Sequence, residues 1–167
     1  MALRVEPLSS GHNRVSFSCG ESALDDYLRT TASQDARRHI ASVFVAIDTD
    51  SGRVAGYYTT SGTSFARDDL PEKERKRLPR YPVPAALIGR FAVDETHQGK
   101  GIGRFLLFDA LTRVVRASTD VAAWGVVVDA KSERAAQFYE KYGFRRFPNQ
   151  PFRLFIPLAT VEAALPR

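Results

Sequence analysis

The sequence predicts an α/β fold with a mixed β-sheet. Two runs rich in β-branched residues, 42–48 and 53–65, flank a short turn at residues 50–52 and indicate a β-hairpin. Further along the chain, strand-like runs alternate with helical patterns, which is typical of α/β proteins. The length of 167 residues fits a single domain, which we expect to span residues 1–167.

The N-terminal half is predicted to begin with a helix that opens at residues 17–21. Ser18 and Glu21 have the spacing of a capping box there. A buried stripe at helical spacing follows, formed by Leu24, Tyr27, Leu28 and Thr31. After the hairpin, the segment 68–84 is almost wholly charged at its centre and bracketed by prolines. We expect it to be a surface excursion with room for a short exposed helix.

The C-terminal half supplies the alternating elements. The predicted order is strand 85–93, loop 94–99, helix 101–118, strand 125–129, helix 132–142, strands 144–147 and 152–157, and a final helix 160–165. Gly143 is expected to end the second of these helices in a left-handed conformation. One face of that helix carries Ala135, Phe138, Tyr139 and Tyr142.

Composition excludes several classes of protein. The single cysteine rules out a disulfide framework and zinc-finger spacing, and the three histidines lie too far apart for a local metal motif, so we expect no metal. No run approaches the roughly 18 apolar residues of a membrane span, and residues 1–10 lack the apolar core of a signal peptide. We therefore expect a cytoplasmic protein without a membrane segment. Its net charge of +5 favours an anionic partner.

A glycine-rich segment lies between the predicted strand 85–93 and the long helix after it. Closely spaced glycines let backbone N–H groups converge on a ligand, and the start of a helix favours a phosphate. A P-loop would need Ser or Thr after Lys100, and a dinucleotide fingerprint would need glycine in place of Arg104. The segment therefore predicts a pyrophosphate site of another kind, built from Gln98, Gly99, Lys100, Gly101, Ile102, Gly103 and Arg104.

This segment resembles the Q/R-x-x-G-x-G/A motif of the GNAT superfamily of N-acetyltransferases, with Gln98, Gly101 and Gly103 at the motif positions. The run 135–144 is similar to the family's A-x-x-F-Y-x-x-x-G-F segment. The resemblance implies a GNAT fold with a splayed strand pair, and acetyl-CoA as acetyl donor. It places the pyrophosphate on the glycine-rich turn. It also implies further donor contacts from Phe91, Ala92, Val93, Ser132 and Phe138, where Ser132 replaces the asparagine common in the family.

The resemblance extends to one subgroup, the GNAT toxins of type II toxin–antitoxin modules. It is carried by the residues 17–28, Gly56 to Gly62 and Arg90 to Val93. These toxins acetylate the α-amino group of aminoacyl-tRNA. Membership would imply a ribbon-helix-helix antitoxin as partner and a homodimer.

Transfer of an acetyl group to an amine requires a proton for the departing thiolate. Tyr139 is the candidate catalytic acid, because a phenol can supply that proton and the family motif has tyrosine at this position. Tyr142 shares its face and is expected to pack in the core. An α-amine titrates near 7.7–8.0, and an adjacent ester should lower this pKa further, so much of the amine is already neutral. We therefore assign no base and interpret Asp94 and His97 as loop residues.

Basic side chains are the other candidate site. Collectively they favour an RNA substrate, because phosphate contacts supply most sequence-independent affinity. Arg90 stands beside the proposed active strand, where the toxin subgroup also has arginine. The predicted tRNA-binding set is Arg90, Arg77, Lys76 and Arg80. The alternatives are a GNAT enzyme that acetylates a small amine or a protein N-terminus, and a non-catalytic GNAT-fold module that binds acetyl-CoA or RNA.

Overall fold

A computed structural model of the chain describes residues 2–165, so the ends of the predicted domain, residues 1, 166 and 167, lie outside the described part. Seven strands form one mixed sheet in the order β1-β2-β3-β4-β5-β7-β6. The strands are β1 (Leu3–Pro7), β2 (Ser42–Asp48), β3 (Val54–Phe65), β4 (Val83–Val93), β5 (Gly125–Asp129), β6 (Arg145–Phe147) and β7 (Gln150–Pro157). The helices are α1 (Ser22–Asp26), α2 (Ala32–Arg37), α3 (Glu72–Arg75), α4 (Ile102–Ala117), α5 (Glu133–Lys141) and α6 (Leu158–Ala164).

The strand pairings confirm the predicted mixed sheet. The pairs β1–β2, β2–β3, β5–β7 and β6–β7 are antiparallel, and the pair β4–β5 is parallel. The parallel register ends at Ile88 and Val128, although β4 itself continues to Val93. This early end of the pairing agrees with the splayed strand pair that the family resemblance implies.

The described residues divide into two compact units. The first comprises residues 2–61 and 89–110, and the second comprises 62–88 and 111–165. In the first unit, the helical segment 22–37 packs on β2 and β3 through Leu24, Leu28, Val45 and Tyr57. In the second unit, Phe65, Val127, Phe147 and Phe155 form an aromatic-rich core. Each unit therefore buries its own apolar cluster.

The predicted first helix is interrupted by a π-helical turn, Tyr27–Thr31, between α1 and α2. A π-turn holds one extra residue, so the stripe predicted at Thr31 moves by one position. Ala32 is fully buried instead, whereas Thr31 is only half-buried. The expected spacing is correct for Leu24, Tyr27 and Leu28 and wrong after them.

The predicted capping box is wrong. Glu21 is the N-cap residue of α1, and no side chain caps that helix. The Ser18 N–H donates to Asp94 Oδ1 at 3.0 Å, and the Ser18 hydroxyl donates to Glu95 Oε2 at 3.4 Å. Ser18 therefore joins the N-terminal segment to the end of β4. Strand β1 was not predicted, although Leu3 to Glu6 alternate between apolar and polar residues, because the run is short and ends at Pro7.

Candidate functional site

The glycine-rich segment forms an exposed turn directly before α4. Gly99 and Gly101 have φ angles of 79° and 78°, in the left-handed region that favours glycine. A Cβ atom at either position would meet no other atom within 4 Å, so the space in front of the turn is open. Left-handed residues alternating with others turn successive N–H groups toward one side, and the start of a 16-residue helix adds its dipole. This backbone is suited to hold a pyrophosphate.

Gln98 fixes the turn to the rest of the first unit. Its side-chain Nε2 donates to the carbonyl of Val93 at 3.1 Å and to the carbonyl of Cys19 at 3.3 Å. At the other end, the N–H of Phe105 donates to the Gly101 carbonyl at 3.1 Å and begins the helical ladder. Gln98 thus acts on the shape of the turn through its contacts with β4 and the N-terminal segment.

A buried histidine fixes the segment just before the turn. His97 is 5% exposed, and its ring lies between two carboxylates: Nε2 is 3.1 Å from Asp48 Oδ2 and Nδ1 is 3.2 Å from Asp94 Oδ2. The hydrogen bond from His97 is the main cause that lowers the pKa of Asp48. Burial raises the pKa of Asp94, but hydrogen bonds from Thr96, the Ser18 N–H and His97 outweigh it, and the net shift is downward.

This network corrects the interpretation of His97 as a simple loop residue. His97 lies in a short 3₁₀ turn, Glu95–His97. Asp48 is the last residue of β2, and Asp94 directly precedes that turn. Asp48 is 49 positions away in sequence, so no local spacing could have indicated the contact. With both ring nitrogens facing carboxylates, His97 is a structural clamp and not a general base for an incoming amine.

The end of β4 lies against β3 at close range. The Asp94 N–H donates to the Ala55 carbonyl at 2.8 Å, and a Cβ atom on Gly56 would come within 2.9 Å of the Ala92 carbonyl oxygen. Ala92 is buried, while the neighbouring Phe91 and Val93 are half-buried. Glycine at position 56 therefore permits the close approach of the two strands that positions this part of β4.

Arg90 is held by an aromatic ring. Its guanidinium lies 3.7 Å from the centroid of the Tyr27 ring, a cation–π contact. The Tyr27 hydroxyl donates to Asp35 Oδ2 at 2.7 Å, and burial together with this bond raises the pKa of Tyr27 to about 12. The Arg90 N–H donates to the Thr59 hydroxyl oxygen at 3.0 Å. The predicted substrate-binding arginine is thus half-buried and oriented, not a free surface charge.

In the second unit, Tyr139 lies on the buried face of α5. It is 6% exposed, and its ring centroid is 5.5 Å from that of Phe144 and 5.3 Å from that of Phe138. Burial, with a smaller contribution from the Asp129 carboxylate, raises the pKa of Tyr139 far above its ordinary value. The phenol therefore stays protonated at physiological pH and can donate its proton.

Ser132 and Gly143 define the two ends of α5 as predicted. The Ser132 hydroxyl oxygen accepts from the Ala135 N–H at 3.1 Å, so this side chain is the helix N-cap. Gly143 has φ 98° at the C-terminal end. The asparagine that is common in the family at the start of this helix is thus replaced by a residue that caps it.

The basic residues differ in how far they are neutralised. Lys76 is exposed and lies 3.2 Å from Glu72. Arg145 pairs with Glu74 at 2.7 Å, and Arg146 pairs with both Glu133 and Glu140 at 2.8 Å. These pairs weaken the case for Arg145 and Arg146 as phosphate ligands.

Two of the predicted RNA-binding residues remain available. Arg77 and Arg80 are exposed and form no ion pair within the described part of the chain. The predicted site residues fall into two sets. The first unit holds the glycine-rich turn, the end of β4 and Arg90, and the second holds Ser132, Phe138, Tyr139, Lys76, Arg77 and Arg80.

Among residues 2–165, no helix is long and apolar enough to cross a membrane. Within the same range, no group of three or more His, Cys, Asp or Glu side chains is placed to hold a metal ion.

Comparison with known proteins places these features in one family. A family model described as an acetyltransferase (GNAT) domain matches residues 39–146. A tRNA-acetylating toxin from Mycobacterium tuberculosis is 35% identical over 158 residues, covering 95% of this chain and 93% of the relative. The solved structure of AtaT complexed with acetyl-methionyl-tRNAfMet has a TM-score of 0.90 and 32% identity, covering 97% of this chain and 98% of that one.

A second solved structure includes a partner and a donor. It is a Tyr-to-Phe mutant of the AtaT toxin bound to the C-terminus of the antitoxin AtaR and to acetyl-CoA. Its TM-score is 0.82 and its sequence identity is 28%, and the match covers 98% of this chain and 97% of that chain. The family model covers well over half of the chain, and the turn, the capped α5 helix and the mixed sheet match what the family motifs imply. The chain belongs to the GNAT family of acetyltransferases.

Proposed function

We propose that this protein is a toxin that acetylates the α-amino group of aminoacyl-tRNA with acetyl-CoA, and so blocks translation. The observation that carries the proposal is the near-complete alignment, at 32% identity, with a toxin solved together with acetyl-methionyl-tRNAfMet. Residues 1–167 would act as one acetyltransferase domain. The excess of basic side chains, which gives a net charge of +5, supports a polyanionic substrate.

The glycine-rich turn fits the acetyl donor. Its two left-handed glycines leave room in front of the backbone N–H groups, and the exposed Lys100 and Arg104 add positive charge for a pyrophosphate. We assign the remaining donor contacts to Phe91, Ala92 and Val93 on β4, and to Ser132 and Phe138 on α5. When bound, acetyl-CoA supplies an acetyl group that is activated as a thioester.

Tyr139 is assigned as the general acid of a direct transfer in a ternary complex. The amine nitrogen forms a bond to the acetyl carbon, the carbon–sulfur bond breaks, and the sulfur takes the phenolic proton. The position of Tyr139 on α5, in the segment that matches the family motif, supports this role, and a phenol is protonated at physiological pH even at its ordinary pKa. No base is assigned, since a large fraction of the α-amine is neutral near pH 7.7–8.0 and above.

On the acceptor side, we assign Arg90, Arg77, Lys76 and Arg80 to the tRNA. The cation–π contact with Tyr27 limits the freedom of the Arg90 side chain and so reduces the entropy lost when it binds. A ribbon-helix-helix antitoxin, a homodimeric state and a cytoplasmic location complete the proposal. The antitoxin is supported by the relative that was solved with the C-terminus of its antitoxin.

The deciding experiment measures transfer of labelled acetyl groups to aminoacyl-tRNA, to a polyamine and to a peptide N-terminus. We expect transfer to the tRNA, and Tyr139→Phe should lower turnover by about 10²-fold or more with little change in acetyl-CoA affinity. The matched control is Tyr142→Phe, since this half-buried ring on the same helix keeps its contact with Phe138. Expression of the wild type should arrest growth, and Tyr139→Phe should relieve the arrest.

Two results would contradict the proposal. Equal turnover in wild type and Tyr139→Phe would remove the phenol from the mechanism. Transfer to the polyamine or the peptide without transfer to aminoacyl-tRNA would replace the tRNA substrate with a smaller amine.

A further inference from the structure

A polar cavity lies in the first unit beside the N-terminal loop. It has a volume of about 480 Å³ and is lined by the loop residues 10–15 and by Arg29. Two of the lining side chains are guanidinium groups, and none is a carboxylate. The only branched apolar residue in the lining is Val15, which is 83% exposed. The residues that line the cavity therefore include two cations and no anion.

Arg14 is the fixed cation of this cavity. Its Nη1 donates to the Leu28 carbonyl at 3.1 Å and to the Ser33 hydroxyl at 2.8 Å. Within residues 2–165 no carboxylate pairs with Arg14, and its Nε and Nη2 make no hydrogen bond. The side chain is half-buried. Neutral acceptors thus hold one edge of the guanidinium, while its charge and its other donors remain available to a ligand.

Arg29 adds a second cation. Its Nη1 donates to the Phe17 carbonyl at 2.7 Å, and its Nη2 lies 3.3 Å from Asp26. The Asp26 side chain is 68% exposed, so water screens this pair and it neutralises Arg29 only weakly. Together, Arg14 and Arg29 present two oriented guanidinium groups to one cavity.

Glu6 lies beside this loop and is already engaged. It accepts from His12 Nε2 at 2.5 Å and from Arg4 Nε at 3.0 Å. The His12 Nδ1 accepts from the Ser9 N–H at 2.9 Å, so Nε2 is the ring nitrogen that donates to Glu6. Within residues 2–165, Glu6 is therefore held by its own partners and forms no bond with Arg14 or Arg29.

The π-helical turn links the cavity to Arg90. Within the five residues Tyr27–Thr31, the Leu28 carbonyl holds Arg14, Arg29 lines the cavity, and the Tyr27 ring carries the Arg90 guanidinium. π-turns are rare and occur frequently at functional sites. A single irregular turn therefore orients three arginines in the first unit.

We propose that the Arg14–Arg29 cavity binds a phosphate group of the RNA backbone. This inference rests on the proposed function, because it supplies a further subsite for the same substrate. Guanidinium groups bind phosphate oxygens through two parallel hydrogen bonds, and the available Nε and Nη2 of Arg14 are suited to that geometry. Two arginines with no carboxylate among the lining residues match a phosphate group, so RNA is the favoured occupant.

The test is the salt dependence of tRNA binding by the full chain. Each phosphate contact contributes about 0.7–0.9 to the slope of log Kd against log[salt]. Since both arginines contact one phosphate, we expect Arg14→Gln and Arg29→Gln each to reduce the slope by up to about that amount and to weaken binding by up to about eightfold at 0.1 M salt. The matched control is Arg116→Gln on α4, which removes an exposed charge far from the cavity in sequence and should leave the slope unchanged.

Arg14 also supports the π-turn, so the thermal midpoint of each variant is measured in parallel. Arg29→Gln removes one charge from the cavity and leaves the bonds from Arg14 to Leu28 and Ser33 in place. This variant therefore keeps the test valid if Arg14→Gln fails to fold. In acetylation assays of the variants, KM for aminoacyl-tRNA should rise and kcat should stay unchanged. A purely structural defect would lower the thermal midpoint and kcat while leaving the salt slope intact.

The outcomes separate this inference from the proposed function. Normal acetylation of aminoacyl-tRNA with wild-type salt slopes in both variants would overturn the cavity alone. Binding of tRNA with the expected slope changes, but without acetylation, would support the cavity and overturn the proposed activity. Loss of binding to an octa-aspartate peptide in the variants, with tRNA binding intact, would assign the cavity to an acidic protein and overturn the RNA subsite.

Discussion

Replacement of Gly101 by alanine tests the glycine-rich turn directly. Gly101 has φ 78°, and an added Cβ would meet nothing within 4 Å, so the change introduces backbone strain without a steric clash. An L-residue in the left-handed region costs about 1–2 kcal/mol. If the turn relaxes in the free protein, this energy is regained only when acetyl-CoA binds, and the Kd should rise about 5- to 30-fold.

If the turn stays left-handed instead, the same strain appears in folding. The strain then lowers the free energy of unfolding by about 1–2 kcal/mol. Alanine also restricts the unfolded chain, which raises the free energy of unfolding by roughly 0.4–1 kcal/mol and offsets part of this loss. The Kd for acetyl-CoA is unchanged in this case. Calorimetric titration with acetyl-CoA and urea unfolding together measure both quantities. Gly62→Ala is the control, because its Cβ also meets nothing within 4 Å but its φ lies outside the left-handed region. If Gly101→Ala matches Gly62→Ala in both assays, the turn is not held in this conformation.

The remaining prediction concerns the carboxylates around His97. In the folded state, the pKa values of Asp48 and Asp94 lie below the ordinary value of about 3.9 for an aspartate. Their ionised forms therefore stabilise the fold fully above about pH 5, and this contribution is lost as the pH falls through the pKa values of the folded protein. In urea unfolding between pH 3 and 7, Asp48→Asn should therefore flatten the acid decline in stability, and parallel curves for the two proteins would refute the role of the His97 network.

The elements predicted from the sequence are those with strong local patterns. The hairpin of β2 and β3, strand β5 and the ends of α5 agree with the structure to within about two residues, because β-branched runs, Ser132 and Gly143 act over short distances. Family motifs located the glycine-rich turn, and the structure adds the conformation that makes it open. Tyr139 and the other site residues remain predictions until the assays above are done.

Other features could not be predicted because they depend on distant contacts. Ser18 has the spacing of a capping residue, yet it bonds to Asp94 and Glu95, more than 70 positions away. The clamp around His97 joins the end of β2 to the end of β4, and the whole of β3 and β4 with the segment between them separates these ends along the chain. The π-turn shifts the buried stripe by one residue, a change that regular helical spacing cannot show.

The two bonds from the Gln98 side chain have a consequence for the order of events during synthesis and folding. Its contact with Cys19 joins residues 79 positions apart, and the bond from the Ser18 N–H to Asp94 spans 76 positions. Contacts of such separation require closure of a long loop before they contribute any stability, so they form slowly relative to local structure. The turn therefore reaches its fixed shape only after the N-terminal segment, β2, β3 and β4 have been made and have folded together. A nascent chain that exposes only its N-terminal half therefore lacks the fixed glycine-rich turn, and this part of the acetyltransferase fold is completed only after β4 and the start of α4 have been made.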